Sequence, residues 1–300
     1  MPDAPSSPRH PAPPAQAPAA AAAFYARVDA ALADKALHRA LSLTTGRLAG
    51  GLTSAFAALP DGEALRDAAR RIRAHTIAHL DRYLVQFSEQ AERRGCQLHW
   101  ADTAADASRI VVEIAQANGI SLAVKSKSML SEEIELNAAF ESAGIRVVET
   151  DLGEFVVQVG GDKPSHIIMP IVHRSREYVA ALFRDKLGAS NTDVADVPAM
   201  TAFARRVLRQ EFVRAGMGVS GVNLAVADTG SLCLVSNEGN GRLTTTLPRV
   251  HVALVGLERI VPTAADLGVV LQLLARSATG QAMPVYTSIL TGPRRARVDN

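Results

Sequence analysis

A layered α/β fold with a mixed sheet, preceded by a helical region, is predicted from three observations. From Gln97 onward, short apolar runs alternate with segments of helical periodicity, the pattern of a sheet with helices on its faces. Two of those runs, residues 222–227 and 231–235, are joined by Asp228-Thr229-Gly230 as a hairpin would be, which makes the sheet mixed. Before Gln97 the bulky apolar residues recur three or four apart, a helical spacing. The chain has 300 residues, 48% hydrophobic and 21% charged, enough for one or two domains with a sizeable core.

Residues 1–22 are rich in Pro and Ala with almost no bulky apolar side chains, so a disordered tail is predicted. They also lack the apolar segment of a secretory signal. Residues 23–95 are read as a helical region. A helix over residues 24–48 is closed by Gly50 and Gly51. A second places Leu65, Ala69, Ile72, Thr76, Leu80, Tyr83 and Phe87 on one face and stops near Gly95.

Residues 96–293 are read as the α/β domain. A helix near residues 104–118 ends at Gly119 and leads to a strand over 121–124. Ser131 reads as an N-cap, with Glu132 and Glu133 well placed in the first turn. That helix buries Leu136, Ala139, Phe140 and Ala143, and Gly144 closes it. Strands follow over 145–148, 155–159 and 166–169, then a helix over 174–187. A long helix over 197–215 aligns Met200, Ala204, Leu208 and Phe212. After the hairpin come a strand over 250–255, a helix over 264–275 and a strand over 284–289. Residues 294–300, with Arg294, Arg295 and Arg297, read as a solvated basic tail.

Charge and cysteine usage exclude some functions. Thirty-two basic side chains against thirty acidic ones give a net charge of +2, without the basic excess expected of a nucleic-acid binder. The best candidate for a membrane span, residues 250–257, is stopped by Glu258 and Arg259 and is too short to cross a bilayer. A soluble, cytoplasmic protein is expected. Cys96 and Cys233 cannot ligate a four-cysteine cluster within one chain, and Cys233 reads as a small buried hydrophobe.

The densest candidate site is the segment 236–248. Gly239 and Gly241 alternate with Asn237 and Asn240, residue types that tolerate positive φ, around Glu238 and Arg242. Two compatible readings follow: a hairpin turn between residues 232–235 and 243–246, or an anion-binding nest with a carboxylate beside it. Lys125-Ser126-Lys127-Ser128 lies where a strand ends and a helix begins, which suits a phosphate or carboxylate and equally suits an exposed loop. Asp228-Thr229-Gly230 lacks the second carboxylate that aspartic-protease chemistry needs, so it reads as a turn. His166, His173 and His251 match no standard metal spacing and read as structural histidines; no metal site is expected. There is no P-loop, no G-x-G-x-x-G, and residues 218–222 miss the nucleophile elbow.

Several segments together resemble the lactate-utilisation (LUD) domain family, most closely its protein B branch. They are Leu98-His99-Trp100-Ala101, Lys125-Ser126-Lys127-Ser128-Met129 with Glu132-Glu133-Ile134, and Glu149-Thr150-Asp151-Leu152-Gly153-Glu154. Pro164-Ser165-His166-Ile167, Ser220-Gly221-Val222-Asn223, Asn237-Glu238-Gly239-Asn240 and Arg276-Ser277-Ala278-Thr279-Gly280-Gln281 complete the set. The resemblance runs from about residue 60 to Pro293.

It implies a fold related to the sugar-phosphate isomerase and CoA-transferase group, and a part in bacterial oxidation of L-lactate to pyruvate. The implied partners are two sister subunits, one cysteine-rich and one a smaller LUD protein. Longer members carry a ferredoxin-like region with [4Fe–4S] clusters. This sequence reaches Asn300 without those cysteines, so no cofactor is expected within it and electrons would pass through clusters elsewhere. Ser236-Asn237-Glu238-Gly239 resembles, with two residues exchanged, the segment that carries the catalytic glutamate of some CoA transferases. Glu238 is therefore the candidate catalytic residue, and Lys125, Lys127, Asn237, Gly239, Asn240, Gly241 and Arg242 are the candidate anion-binding residues. Three functions stay open on this reading: a component of a lactate-oxidising complex, a stand-alone transferase or isomerase, and a non-catalytic assembly module.

Overall fold

Apolar segments of this chain find their partners in two sheets wrapped by helices. The computed structural model describes residues 19–165 and 169–294. In chain order the first elements are α1 (Ala19–Ala33), α2 (Lys35–Ala57), α3 (Gly62–Ala78), α4 (Leu80–Arg93), α5 (Ala104–Ala117) and β1 (Leu122–Lys125). The chain continues through α6 (Met129–Glu133), α7 (Leu136–Ser142), β2 (Arg146–Glu149), α8 (Leu152–Gly160), α9 (Arg176–Leu187) and α10 (Val197–Arg214). It finishes with β3 (Met217–Gly221), β4 (Leu224–Val226), β5 (Ser231–Ser236), α11 (Asn240–Thr246), β6 (Val250–Leu254), β7 (Ile260–Val261), α12 (Ala264–Thr279) and β8 (Tyr286–Leu290).

The first sheet has the order β2-β1-β3-β6 and every pair in it is parallel. Its central strand β1 is buried at all four residues, as expected of a parallel strand covered on both faces. One face packs Val111, Ala115, Leu136 and Phe140 of α5 and α7 against Ala123, Met217 and Val219. On the other, Phe155, Phe183, Phe203, Leu208 and Phe212 of α8, α9 and α10 cover Leu122, Val124 and Val148. The second sheet, β7-β4-β5-β8, is mixed: β4–β5 and β5–β8 are antiparallel, β4–β7 parallel. Tyr83, Phe87 and Ala91 of α4 close one of its faces; Ile72 of α3 and Leu267 of α12 close the other. Among the described residues no helix is long and apolar enough to cross a membrane.

The predicted α/β layering and the β4–β5 hairpin are present, and several local expectations are corrected. The run 155–159 is not a strand but most of α8. Asp151 caps that helix by accepting from the Gly153 N–H at 3.1 Å, and Gly161 ends it at φ 65°. Phe155, Val156 and Val157 are all buried, so the β-branched run satisfies core packing as a helix. The strand expected at 166–169 falls on residues 166–168, which lie outside the described residues; Met169 is in no strand. Ser128, not Ser131, is the N-cap of α6, accepting from the Ser131 N–H at 3.2 Å. Glu135 at φ 51° then separates α6 from α7.

The helical region also differs in its breaks. The single helix expected over residues 65–87 is two, divided at His79. Gly50 and Gly51 do not end α2. They lie inside it, where α2 crosses the C-terminus of α12: a Cβ on Gly280 would meet the Gly51 carbonyl carbon at 2.5 Å. Most of the expected tail, residues 1–18, and residues 295–300 of the basic tail lie outside the described residues, while residues 19–22 begin α1.

The hairpin expected across 232–246 is absent. After β5 the chain makes a short loop and enters α11, with Gly239 at φ −74° and neither Gly239 nor Gly241 in the left-handed region. The cause lies on β3. A Cβ on Gly218 would sit 1.9 Å from the Thr244 carbonyl oxygen, so α11 lays its backbone directly on the strand and buries Thr244 there. A helical segment docked on the sheet takes the place of a second hairpin strand.

Candidate functional site

The parallel sheet brings its strand ends to one place. β1 ends in Lys125 and β2 in Glu149, paired in register, and the segments leaving them carry Ser126-Lys127-Ser128 and Thr150-Asp151. Carboxyl ends of strands are where open α/β sheets bind ligands.

Lys125 forms the floor. Only 1% of its side chain is exposed, and its ammonium lies 2.7 Å from Glu149 Oε1 and donates to Asn137 Oδ1 at 2.8 Å. Asn137 Nδ2 donates to the same Glu149 oxygen at 2.8 Å, closing a triangle. A buried charge pair is tolerable only when both charges are met in this way. The charge of Lys125 is thus met within the fold by Glu149 and Asn137.

Lys127 sits higher. Its ammonium is 3.5 Å from Glu154 Oε1, with 22% of the lysine side chain exposed against 6% of the glutamate. The loop between them is fixed at both ends: the Ser126 N–H donates to the Val219 carbonyl at 2.9 Å, and Ser128 caps α6.

Glu238 arrives from the loop between β5 and α11. The Ser236 hydroxyl shapes that loop, accepting from the Glu238 N–H at 3.0 Å and lying 3.0 Å from the Glu238 carbonyl oxygen. The Glu238 carboxylate reaches the first turn of α8, where its Oε2 accepts from the Leu152 N–H at 3.3 Å beside Asp151. Asn240 anchors the start of α11, with its Nδ2 3.4 Å from Thr150 Oγ1; that hydroxyl donates to the Lys125 carbonyl at 2.6 Å. Lys125, Lys127, Glu238 and Asn240 therefore converge.

Electrostatics follow from this crowding. Burial pushes the Glu154 carboxyl up to about 7, with Glu132, Glu149 and Asp151 adding to the rise and Lys127 opposing it. Burial, then the like charge of Asp151, raises Glu238 to about 7 against the Leu152 N–H and Lys127. Glu132 is raised above the usual carboxylate range by partial burial, with Lys125 opposing. Two carboxyl groups that titrate near neutrality beside one ammonium can hold a small acid and exchange a proton with it.

The remaining predicted residues are placed as follows. Asn237 turns away: its Nδ2 donates to Gln281 Oε1 at 2.7 Å and its Oδ1 accepts from the Val285 N–H at 3.1 Å. Gly239 is the N-cap of α11, Gly241 lies inside it, and Arg242 is exposed. The glycines do not build a nest of positive-φ residues. His251 pairs with Ser220 at 2.8 Å and is driven down to about 4 by burial, so it is neutral. His173 pairs with Ser165 at 2.6 Å, and His166 lies outside the described residues. Among the described residues no group of three His, Cys, Asp or Glu side chains is placed to hold a metal ion.

The LUD domain model matches residues 84–298. The chain belongs to the LUD domain family. It is 44% identical over 275 residues to lactate utilization protein B of Bacillus pumilus (strain SAFR-032), covering 91% of this chain and 58% of that protein. To lactate utilization protein B of Shouchella clausii (strain KSM-K16) it is 42% identical, covering 91% and 57%. To YkgF of Escherichia coli (strain K12), described as an uncharacterized electron transport protein, it is 40% identical, again covering 91% and 57%. The chain thus spans less than three fifths of the length of these relatives. No solved structure matches the chain.

Within this LUD domain, sequence reading missed Asn137, Glu149 and Glu154 as members of the site. Glu149 and Glu154 carried a signal: both lie in the segment Glu149-Thr150-Asp151-Leu152-Gly153-Glu154 that follows a predicted strand. Expecting a strand over residues 155–159 hid the helical turn that points Glu154 at Lys127. Nothing in the sequence marks Asn137, which lies in the first turn of α7.

Proposed function

We propose that this chain is the LUD-domain part of a bacterial L-lactate oxidation system that yields pyruvate, and that it works with sister subunits. The single observation that carries the reading is family membership with protein B relatives named for lactate utilization. The site is consistent with it. A small 2-hydroxy acid or 2-keto acid presents one carboxylate, which Lys127 can meet, and a polar group beside it, which Glu238 or Glu154 can meet in either protonation state. Electrons from the substrate would leave through [4Fe–4S] clusters held outside this chain, in longer relatives and in the cysteine-rich subunit.

Copurification with a cysteine-rich subunit and a small LUD subunit, followed by a lactate-oxidation assay with and without this chain, tests the reading. Activity that needs this chain supports it; full activity without the chain overturns it.

One observation favours a second reading, a stand-alone transferase or isomerase. Glu238 is a half-buried carboxylate on a loop beside a helix N-terminus, poised near neutrality, as a nucleophile or general base requires. Turnover of a CoA ester or a sugar phosphate by the purified chain, lost in Glu238→Gln with an unchanged melting temperature, would favour it. Binding to the sister subunits with no effect on either activity would leave an assembly module.

A further inference from the structure

Lys127 and Glu154 form an unequal pair. The lysine reaches towards solvent, while the glutamate is 6% exposed and has no water shell to fall back on. Glu154 is faced by Lys127 from the loop after β1, by Glu132 from α6, by Glu149 from the end of β2 and by Asp151 from the cap of its own helix. Lys127 is the one opposing charge in that set. Glu238 differs: it also accepts from the Leu152 N–H, so it keeps a donor if Lys127 moves.

Resting on the reading that the site takes a small carboxylate, we propose that Lys127 is shared between Glu154 and the ligand, and that Glu154 takes up one proton when the ligand binds. The ligand carboxylate draws the ammonium and adds a negative charge to a pocket already rich in carboxylates. Glu154, buried and deprived of its partner, then binds a proton from solvent. The step is E⁻ + L⁻ + H⁺ → EH·L⁻, with no bond broken in the ligand. Because Glu154 already sits near 7, the uptake falls in the neutral range. A ligand without an anionic group would not trigger it. Glu154 thereby favours anionic ligands such as small carboxylates over uncharged ones and couples their capture to pH.

Linkage sets the size of the effect: uptake of one proton weakens binding up to about tenfold per pH unit above the titration point. The test is calorimetric titration of the full chain with L-lactate and with pyruvate at about pH 7.5, in buffers of low and high ionisation enthalpy. Wild type is expected to show a binding heat that varies with the buffer, giving the protons taken up. Glu154→Gln, which mimics the protonated form, is expected to bind at least as tightly and to lose about one proton's worth of that dependence. Glu238→Gln is expected to keep the Glu154 contribution, and Lys127→Met to lose binding. The reverse outcomes overturn the proposal: carboxylate binding with no proton uptake, or uptake unchanged in Glu154→Gln. Absence of any heat with either carboxylate overturns it by removing the ligand class. Activity of the reconstituted complex is read separately, so a failure of the lactate-oxidation reading shows there even where carboxylate binding with proton uptake holds. Melting curves of each variant establish that the fold is retained.

Discussion

At the scale of single residues, Lys125 and Glu149 test whether the floor of the site is built as a closed charge triangle. Removing one partner of a buried pair leaves the other charge unmet, at a cost of about 3–5 kcal/mol, whereas removing both costs far less. Lys125→Met and Glu149→Leu are each expected to lower stability strongly, and the double variant to recover most of the loss in chemical denaturation. A double variant as unstable as the sum of the singles would show that packing, not charge, holds the floor. Glu154 and Glu238 give a second residue-scale prediction. Both titrate higher in the folded protein than the ordinary 4.5, so between about 4.5 and 7 the folded state binds more protons than the unfolded one. Their contribution to stability therefore falls as pH rises through that window and levels off above 7. His251, depressed to about 4 from 6.5, works in the opposite direction between those values. Melting temperatures of wild type minus Glu154→Gln or Glu238→Gln cancel the histidine, and the difference is expected to decline from pH 4.5 to pH 7. A flat difference would mean that neither carboxyl is raised.

At the scale of elements, glycine has opposite meanings in α2 and at the end of α12. Gly50 is exposed inside α2 with no atom near an added Cβ, so Gly50→Ala is expected to stabilise by about 0.5–1 kcal/mol through helix propensity. Gly280 has φ 71° and would drive its Cβ to 2.5 Å from Gly51, so Gly280→Ala is expected to destabilise and to loosen α2 from α12. Thermal melts of both variants, with limited proteolysis of α2, check the pair. The same glycines show what was legible in the sequence. Elements with clean periodicity, such as α5 closed by Gly119 or α10 with Met200, Ala204, Leu208 and Phe212 on one face, could be read directly. So could β1, β2 and the β4–β5 hairpin, whose apolar runs are bounded by turns. Elements decided by contacts between distant segments could not. The helical fate of 155–159 depends on a core shared with Phe183, and α11 exists because Gly218 leaves room for its backbone. The site was half legible for the same reason. Lys125, Lys127, Glu238 and Asn240 stand in recognisable segments, but the triangle with Asn137 and the Lys127–Glu154 pair are made by the fold.

At the scale of the whole molecule, the cysteine content sets an expectation about iron–sulfur chemistry in this chain. A [4Fe–4S] cluster takes four thiolates, and the chain has two cysteines. Cys233 is fully buried in β5 between Leu224 and Ile289 of the neighbouring strands, where burial pushes its thiol up to about 11. A thiol in that setting neither ionises at neutral pH nor turns out to a metal without breaking the sheet. Cys96, the other free cysteine, is partly buried after α4, and burial raises its thiol as well. Anaerobic reconstitution of the isolated chain with iron and sulfide is therefore expected to leave less than one cluster per chain, with no band of cluster absorption. Cys96→Ser is expected to change neither result. Mixing the chain with a cysteine-rich partner is expected to leave all cluster iron with the partner after separation. Stoichiometric iron and sulfide retained by this chain alone would show that cysteines pool between copies, and would move electron transfer back into the LUD domain itself.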